Sequence, residues 1–109
     1  MIIERLLKAD INISSSGDNT IISAPGAGQY LAIDHINLLP TTAVTVQFKD
    51  GTTSFGGPYP LDAKQSLVLD NSSSSQEGII TTSANAAFII NLGSAVQVGG
   101  FVRYRIINR

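Results

Sequence analysis

Short runs of isoleucine, valine and threonine, cut every few residues by Gly, Pro, Asn, Asp or Ser, leave this chain one kind of architecture to build. β-branched side chains pack well on a pleated surface, and the interrupting residues are those that turn a chain. The alternation is clearest at residues 43–49, where Val44, Val46 and Phe48 share one face and Thr45, Gln47 and Lys49 the other. That is the signature of a strand with one buried and one wet side. Phe88, Ile90 and Leu92 form a second such set. Val96, Val98, Val102, Tyr104 and Ile106 form a third, with Arg103 and Arg105 in the opposite phase. Helical periodicity is nearly absent.

Strands are predicted at residues 2–14, 19–24, 29–39, 43–49, 53–55 continuing to 61, 65–70, 78–82, 87–92 and 96–107. Short antiparallel strands at this spacing predict an all-β fold, a two-sheet β-sandwich of jelly-roll type with eight or nine strands. With 109 residues there is material for one core, so residues 1–109 are read as a single domain in which residues 1–16 form either an N-terminal arm or the first strand.

Five local signals refine this picture. The apolar phase slips by one residue between Leu31-Ile33 and Ile36-Leu38, which predicts a β-bulge or a bend at Asp34-His35. Asp50-Gly51 between two strand patterns predicts a tight hairpin, because glycine accepts the positive φ such a turn demands. Gly56-Gly57-Pro58-Tyr59-Pro60 carries two prolines that cannot donate to a ladder, so this stretch is an irregular edge or a crossover. Gly99-Gly100 interrupts the last strand, as a kink or a close approach of another backbone would require. Asn71 to Gln76 reads as a polar loop.

Composition then limits function. Charged residues make up 14 % of the chain and the formal net charge is -1, so there is no basic field to hold nucleic acid or an anionic membrane. The start, Met1 to Lys8, has charges inside its apolar stretch and does not read as a secretory signal. The longest apolar run, Ala86 to Ile90, is far shorter than a membrane helix. The sequence has no cysteine, which removes thiol nucleophiles and thiolate metal sites.

Chemistry-bearing motifs are few. His35 is the single histidine, and Asp34 beside it would point to the opposite face of a strand, unable to orient the imidazole as a triad carboxylate does. Asp10-Ile11-Asn12-Ile13-Ser14 begins like a calcium loop, but the sixth position is Ser15 in place of Gly and the twelfth is Ile21 in place of Glu. Pro25-Gly26-Ala27-Gly28 lacks the third glycine and the helix of a phosphate loop and is read as a turn. The expectation is a protein without enzymatic activity, metal or cofactor. Tyr30, Tyr59 and Tyr104 offer the one alternative, a sugar-stacking surface, with Tyr30 and Tyr59 as the candidate glycan contacts.

From Asn19 onward the features follow a recognisable order. A strand Thr20 to Ala24 and a Gly turn lead to Tyr30-Leu31-Ala32-Ile33-Asp34-His35-Ile36. Ala43 to Lys49 with Asp50-Gly51 comes next, then a Gly57-Pro58 step with Leu61, and Gly78 leading to a strand with Thr81. Phe88 to Leu92, Ala95 to Gly100 and Val102-Arg103-Tyr104 close it. This order resembles that of small β-sandwich proteins encoded among the structural genes of tailed bacteriophages. The extension Met1 to Ser16 and the loop Asn71 to Gln76 depart from it.

The resemblance implies a virion component without catalytic residues, a capsid decoration (cement) protein on the outer capsid surface, assembled in the bacterial host cytoplasm. Its implied partners are the major capsid protein or another virion protein and further copies of itself, a trimer being favoured. The alternative is a receptor- or glycan-binding module of a tail or head fibre. Ile2, Ile3, Leu6 and Leu7 would each lose ~1.5–3 kcal/mol if left in water, so they are the expected contacts with a neighbouring subunit or the capsid.

Overall fold

A computed structural model of the chain describes residues 6–51, 53–71 and 78–108. The described residues form nine strands: β1 (Leu7–Ile13), β2 (Gly17–Ile22), β3 (Gln29–Pro40), β4 (Val44–Asp50), β5 (Thr53–Leu61), β6 (Leu67–Asp70), β7 (Ile80–Thr81), β8 (Phe88–Leu92) and β9 (Val98–Asn108). They make two antiparallel sheets. One runs β1-β9-β3-β6, with the short β7 also on β3, and the other runs β2-β8-β4-β5.

The pairing follows a simple scheme once β7 is set aside. The first strand pairs with the last (β1 with β9), the second with the last but one (β2 with β8), then β3 with β6 and β4 with β5. This is one long hairpin, turned at Asp50-Gly51 and rolled so that β9 also meets β3 and β8 meets β4. It is the connectivity of a jelly roll, and the fold is a two-sheet β-sandwich as the alternation predicts.

The core lies between the sheets. Ile11, Leu31, Ile33, Ile36, Leu38, Val98 and Val102 come from one sheet, and Ile22, Val44, Val46, Phe48, Leu61, Phe88, Ile90 and Leu92 from the other. In β3 the inward residues change parity between Ile33 and Ile36. The pairing of β3 with β9 absorbs the change, because Ile33 meets Tyr104 and His35 meets Arg103, leaving Asp34 as the extra residue of a bulge. Without the bulge, half of β3 would turn its apolar side to water.

The Gly56-Pro58 stretch is also a bulge. Val46 faces Tyr59 and Phe48 faces Phe55, so Gly56, Gly57 and Pro58 oppose Gln47 alone. β5 is an edge strand, which is why its prolines are tolerated. Gly51 takes a φ of 56° at the hairpin, and the Gly26 carbonyl accepts a hydrogen bond from Gln29 N, closing the turn expected at Pro25 to Gly28.

Leu7 belongs to β1 and pairs with Tyr104, whereas Leu6 precedes the strand and is 47 % exposed. Ile2 and Ile3 lie outside the described residues. From Leu7 onward, therefore, the N-terminal region is part of the sandwich. Among the described residues no helix is long and apolar enough to cross a membrane.

On the outer face of the second sheet, Asp18 of β2 accepts hydrogen bonds from Asn91 Nδ2 (2.7 Å) and Lys49 Nζ (3.0 Å). These two donors, Asn91 first, hold its carboxyl below the usual carboxylate range. A lowered folded-state value means the contribution is present in full above the unfolded carboxyl's value, near 3.8, and is lost as pH falls below it. Because the Asp18 side chain is 44 % exposed, the effect is modest. Melting curves from about pH 5 to pH 2.5 are expected to show a steeper acid loss for the natural chain than for Asp18→Asn. Parallel losses would remove Asp18 from the acid response.

Candidate functional site

The register of the five-stranded sheet fixes what its outer face presents. The inward residues of β1, β9, β3 and β6 alternate with outward ones, which fall into rows across the strands. One row is Lys8, Arg103, His35 and Asp70, and the next is Asp10, Phe101, Asn37 and Val68. Among the described residues the cations of this face, Lys8, Arg103 and Arg105, are matched in number by Asp10, Asp34 and Asp70, so these residues give it mixed charge. Val68 is 57 % exposed on it and Leu39 44 %.

His35 sits in the middle of this face, with Asp70 as its carboxylate partner. Nδ1 lies 2.9 Å from Asp70 Oδ1, and the ring packs against Phe101 at 5.5 Å between centroids. Nε2 is 3.4 Å from Asn37 Nδ2. Asp34, the sequence neighbour, is turned to another task. Its carboxylate accepts from Arg105 Nε at 2.7 Å, Arg105 Nη2 at 3.1 Å and Asn71 Nδ2 at 3.0 Å. The strand alternation expected to send the two side chains to opposite faces does not hold here, because the bulge leaves both on the outer face between the inward Ile33 and Ile36, and what separates them is their different partners. Arg103 Nε is buried without a hydrogen-bond partner.

A cleft opens at the other margin of this sheet, where the edge strands β6 and β5 of the two sheets do not pair. Its volume is about 550 Å³, within the range of roughly 300–1,000 Å³ typical of small-molecule sites. Phe48, Phe55, Tyr59, Leu69, Ile79 and Ile80 supply an apolar lining that continues into the core. Ser54, Gly56 and Asp70 complete the lining. Tyr59 is held by Phe48, whose ring centroid is 5.7 Å away, and Phe48 in turn stacks on Phe88 at 6.0 Å.

Of the two tyrosines singled out as glycan contacts, the structure brings one to this cleft. Tyr59 lines it. Tyr30 lies in the other sheet, on β3, where the inward Leu31 places it on the outer face. The two do not form one platform. Sequence reasoning missed Asp70 altogether, since nothing near Leu67-Val68-Leu69-Asp70 marks that aspartate as the partner of a histidine 35 positions away.

The stretch that begins like a calcium loop is divided among strands. Asp10 lies 3.4 Å from Lys8 Nζ, Asn12 Oδ1 accepts from Gln97 Nε2 at 2.8 Å, and Asp18 is held by Lys49 and Asn91. Among the described residues no three His, Cys, Asp or Glu side chains gather as a metal site. Neither a protein-family model nor a curated protein matches the chain.

Proposed function

We propose that the chain is a non-enzymatic structural component of a tailed-phage virion, a decoration or cement protein on the outer capsid surface. It binds the major capsid protein or another virion protein and associates with copies of itself as a trimer. The observation that carries the reading is the outer face of the five-stranded sheet. It is built on two long strands, β3 and β9, is balanced in charge, and exposes Val68 and Leu39 between polar side chains. Such a face covers another surface without a deep pocket, and repetition over a shell multiplies a modest contact. Mixed charge also spares neighbouring copies the repulsion that a single sign would bring. The order of sequence features and the jelly-roll connectivity support the same role, the second by analogy of fold.

One observation favours the second reading, a receptor- or glycan-binding module of a tail or head fibre: the aromatic cleft at Tyr59. Location separates the two. Antibody raised against the chain, applied with gold conjugate to purified virions from the source of the gene, is expected to label the heads. Label confined to tails or fibres would favour the second reading, and virions without label would contradict both.

A further inference from the structure

We infer that Arg103 is the anchor of the five-stranded sheet's outer face and receives one carboxylate, an Asp or Glu side chain of the virion protein that this face covers. The inference rests on the decorating role proposed above and names the chemistry its contact requires. It begins with how the charges of the face are paired. Lys8 Nζ lies 3.4 Å from Asp10 Oδ1, Arg105 Nε 2.7 Å from Asp34 Oδ2, and His35 Nδ1 2.9 Å from Asp70 Oδ1. The numbers of cations and aspartates match, but Asp70 is taken by the histidine. Arg103 is left over: among the described residues its side chain has no ion-pair partner, and its Nε is buried without a hydrogen bond. A guanidinium keeps its charge at every physiological pH, so the face holds one cation with no carboxylate of its own.

Its place in the sheet suits an anchor. Arg103 lies on β9 between Lys8 of β1 and His35 of β3, an inner position of the face. Phe101, two residues along the strand, packs on His35, and Val68 stands exposed in the row of Phe101. An arginine ringed by groups that exclude water is the usual make-up of an interface hot spot. Burial of Nε has already stripped part of the guanidinium's hydration, so an arriving carboxylate meets a donor prepared in advance, with the Nη groups left to donate to its two oxygens. The single negative charge of a carboxylate balances the one unpaired cation. A phosphate would bring excess charge among Asp10, Asp34 and Asp70, which repel it. The acid comes from another protein, because this chain has few to lend: Asp18 is held by Lys49 and Asn91, and Asp50 is 5 % exposed.

The test is binding of the full chain, labelled with a fluorophore, to purified virions produced without its gene. The natural chain is expected to bind, Arg103→Gln to bind at least about thirtyfold more weakly, and Arg103→Lys, which keeps the charge but not the fork, to fall between them. Light scattering should give Arg103→Gln the same mass as the natural chain, since the carboxylate is not supplied by another copy. Amidation of the virion carboxylates with carbodiimide and glycinamide, which leaves the chain untouched, is expected to weaken binding of the natural chain as much as Arg103→Gln does. Arg103→Lys and the amidated virions decide the matter if Arg103→Gln disturbs the fold. The inference is overturned, and the decorating role left standing, if Arg103→Gln binds as tightly as the natural chain, if amidated virions bind the natural chain unchanged, or if Arg103→Gln loses its association with other copies. A natural chain that binds no virion would overturn the decorating role itself, and the inference with it.

Discussion

Replacing Gly100 by alanine is expected to destabilise the domain by ~3 kcal/mol or more, combining backbone strain with overpacking. Gly100 has a φ of 154°, and a Cβ built on it would overlap the Asn37 carbonyl oxygen and lie 2.8 Å from Leu38 Cα. These are backbone atoms, so no side chain can swing aside. Nor can the strand retreat, because β9 is held between β1 and β3 and Gly100 is paired with Ile11 on one side and Leu38 on the other. A domain whose whole stability is of the order of 5–15 kcal/mol loses a large part of it this way. Urea unfolding should show the midpoint lower by ~1–3 M, at the slopes typical of small domains, or a variant that does not fold. The neighbouring Gly99→Ala is the control. Its Cβ would meet Ile11 O at an ordinary 3.9 Å, and it should cost about 1 kcal/mol or less. Equal losses at the two positions would show that the close approach at Gly100 is not what requires glycine.

The second large effect is expected at the bulge. Asp34→Ala removes the carboxylate that receives two hydrogen bonds from Arg105 and one from Asn71. Both side chains of the ion pair are largely buried, at 14 % exposure for Arg105 and 17 % for Asp34. Taking away one member leaves a largely buried guanidinium without the Asp34 charge, at a cost of ~2–4 kcal/mol. In a domain of this size that is a fall in Tm of the order of 10–20 °C. Asp34→Asn keeps an acceptor but loses the charge and should fall between. A drop of less than ~4 °C for the alanine variant would mean that the bulge is held by packing and register alone.

Both positions were visible in the sequence, for the same reason. A phase slip in an alternating strand and a pair of glycines inside one are local defects in a regular pattern, and a defect in a pattern is readable without knowing the partner strand. The slip at Asp34-His35 became the bulge, and Gly99-Gly100 became the place where the β3 backbone comes closest. Asp50-Gly51 was readable because a hairpin turn is set by its own residues. Leu6 and Leu7 were readable only as a group, and pairing divides them, with Leu7 in β1 and Leu6 outside it.

What joins distant segments was not legible. His35 and Asp70 meet because β6 lies beside β3 in a particular register, and no composition or spacing near Asp70 records that. The network at Asp18 draws on Lys49 and Asn91 from two further strands. The cleft needs the edges of both sheets at once, so Tyr59 could be named as an aromatic candidate from sequence while its partners could not. Tyr30 carried the same sequence signal and lies on another face. An aromatic residue in a strand shows that a ring is present, and only the topology says which rings share a site.

In the proposed role this jelly roll coats a capsid through the outer face of its five-stranded sheet. Cryo-EM of purified virions tests it most directly. The expected result is jelly-roll density in repeated copies on the outer surface of the head, grouped in threes, with Val68 and Leu39 turned toward the shell or a neighbouring copy. Density for this chain only at the tail or a fibre, or a head-bound sandwich whose five-stranded face looks out into solvent, would contradict it.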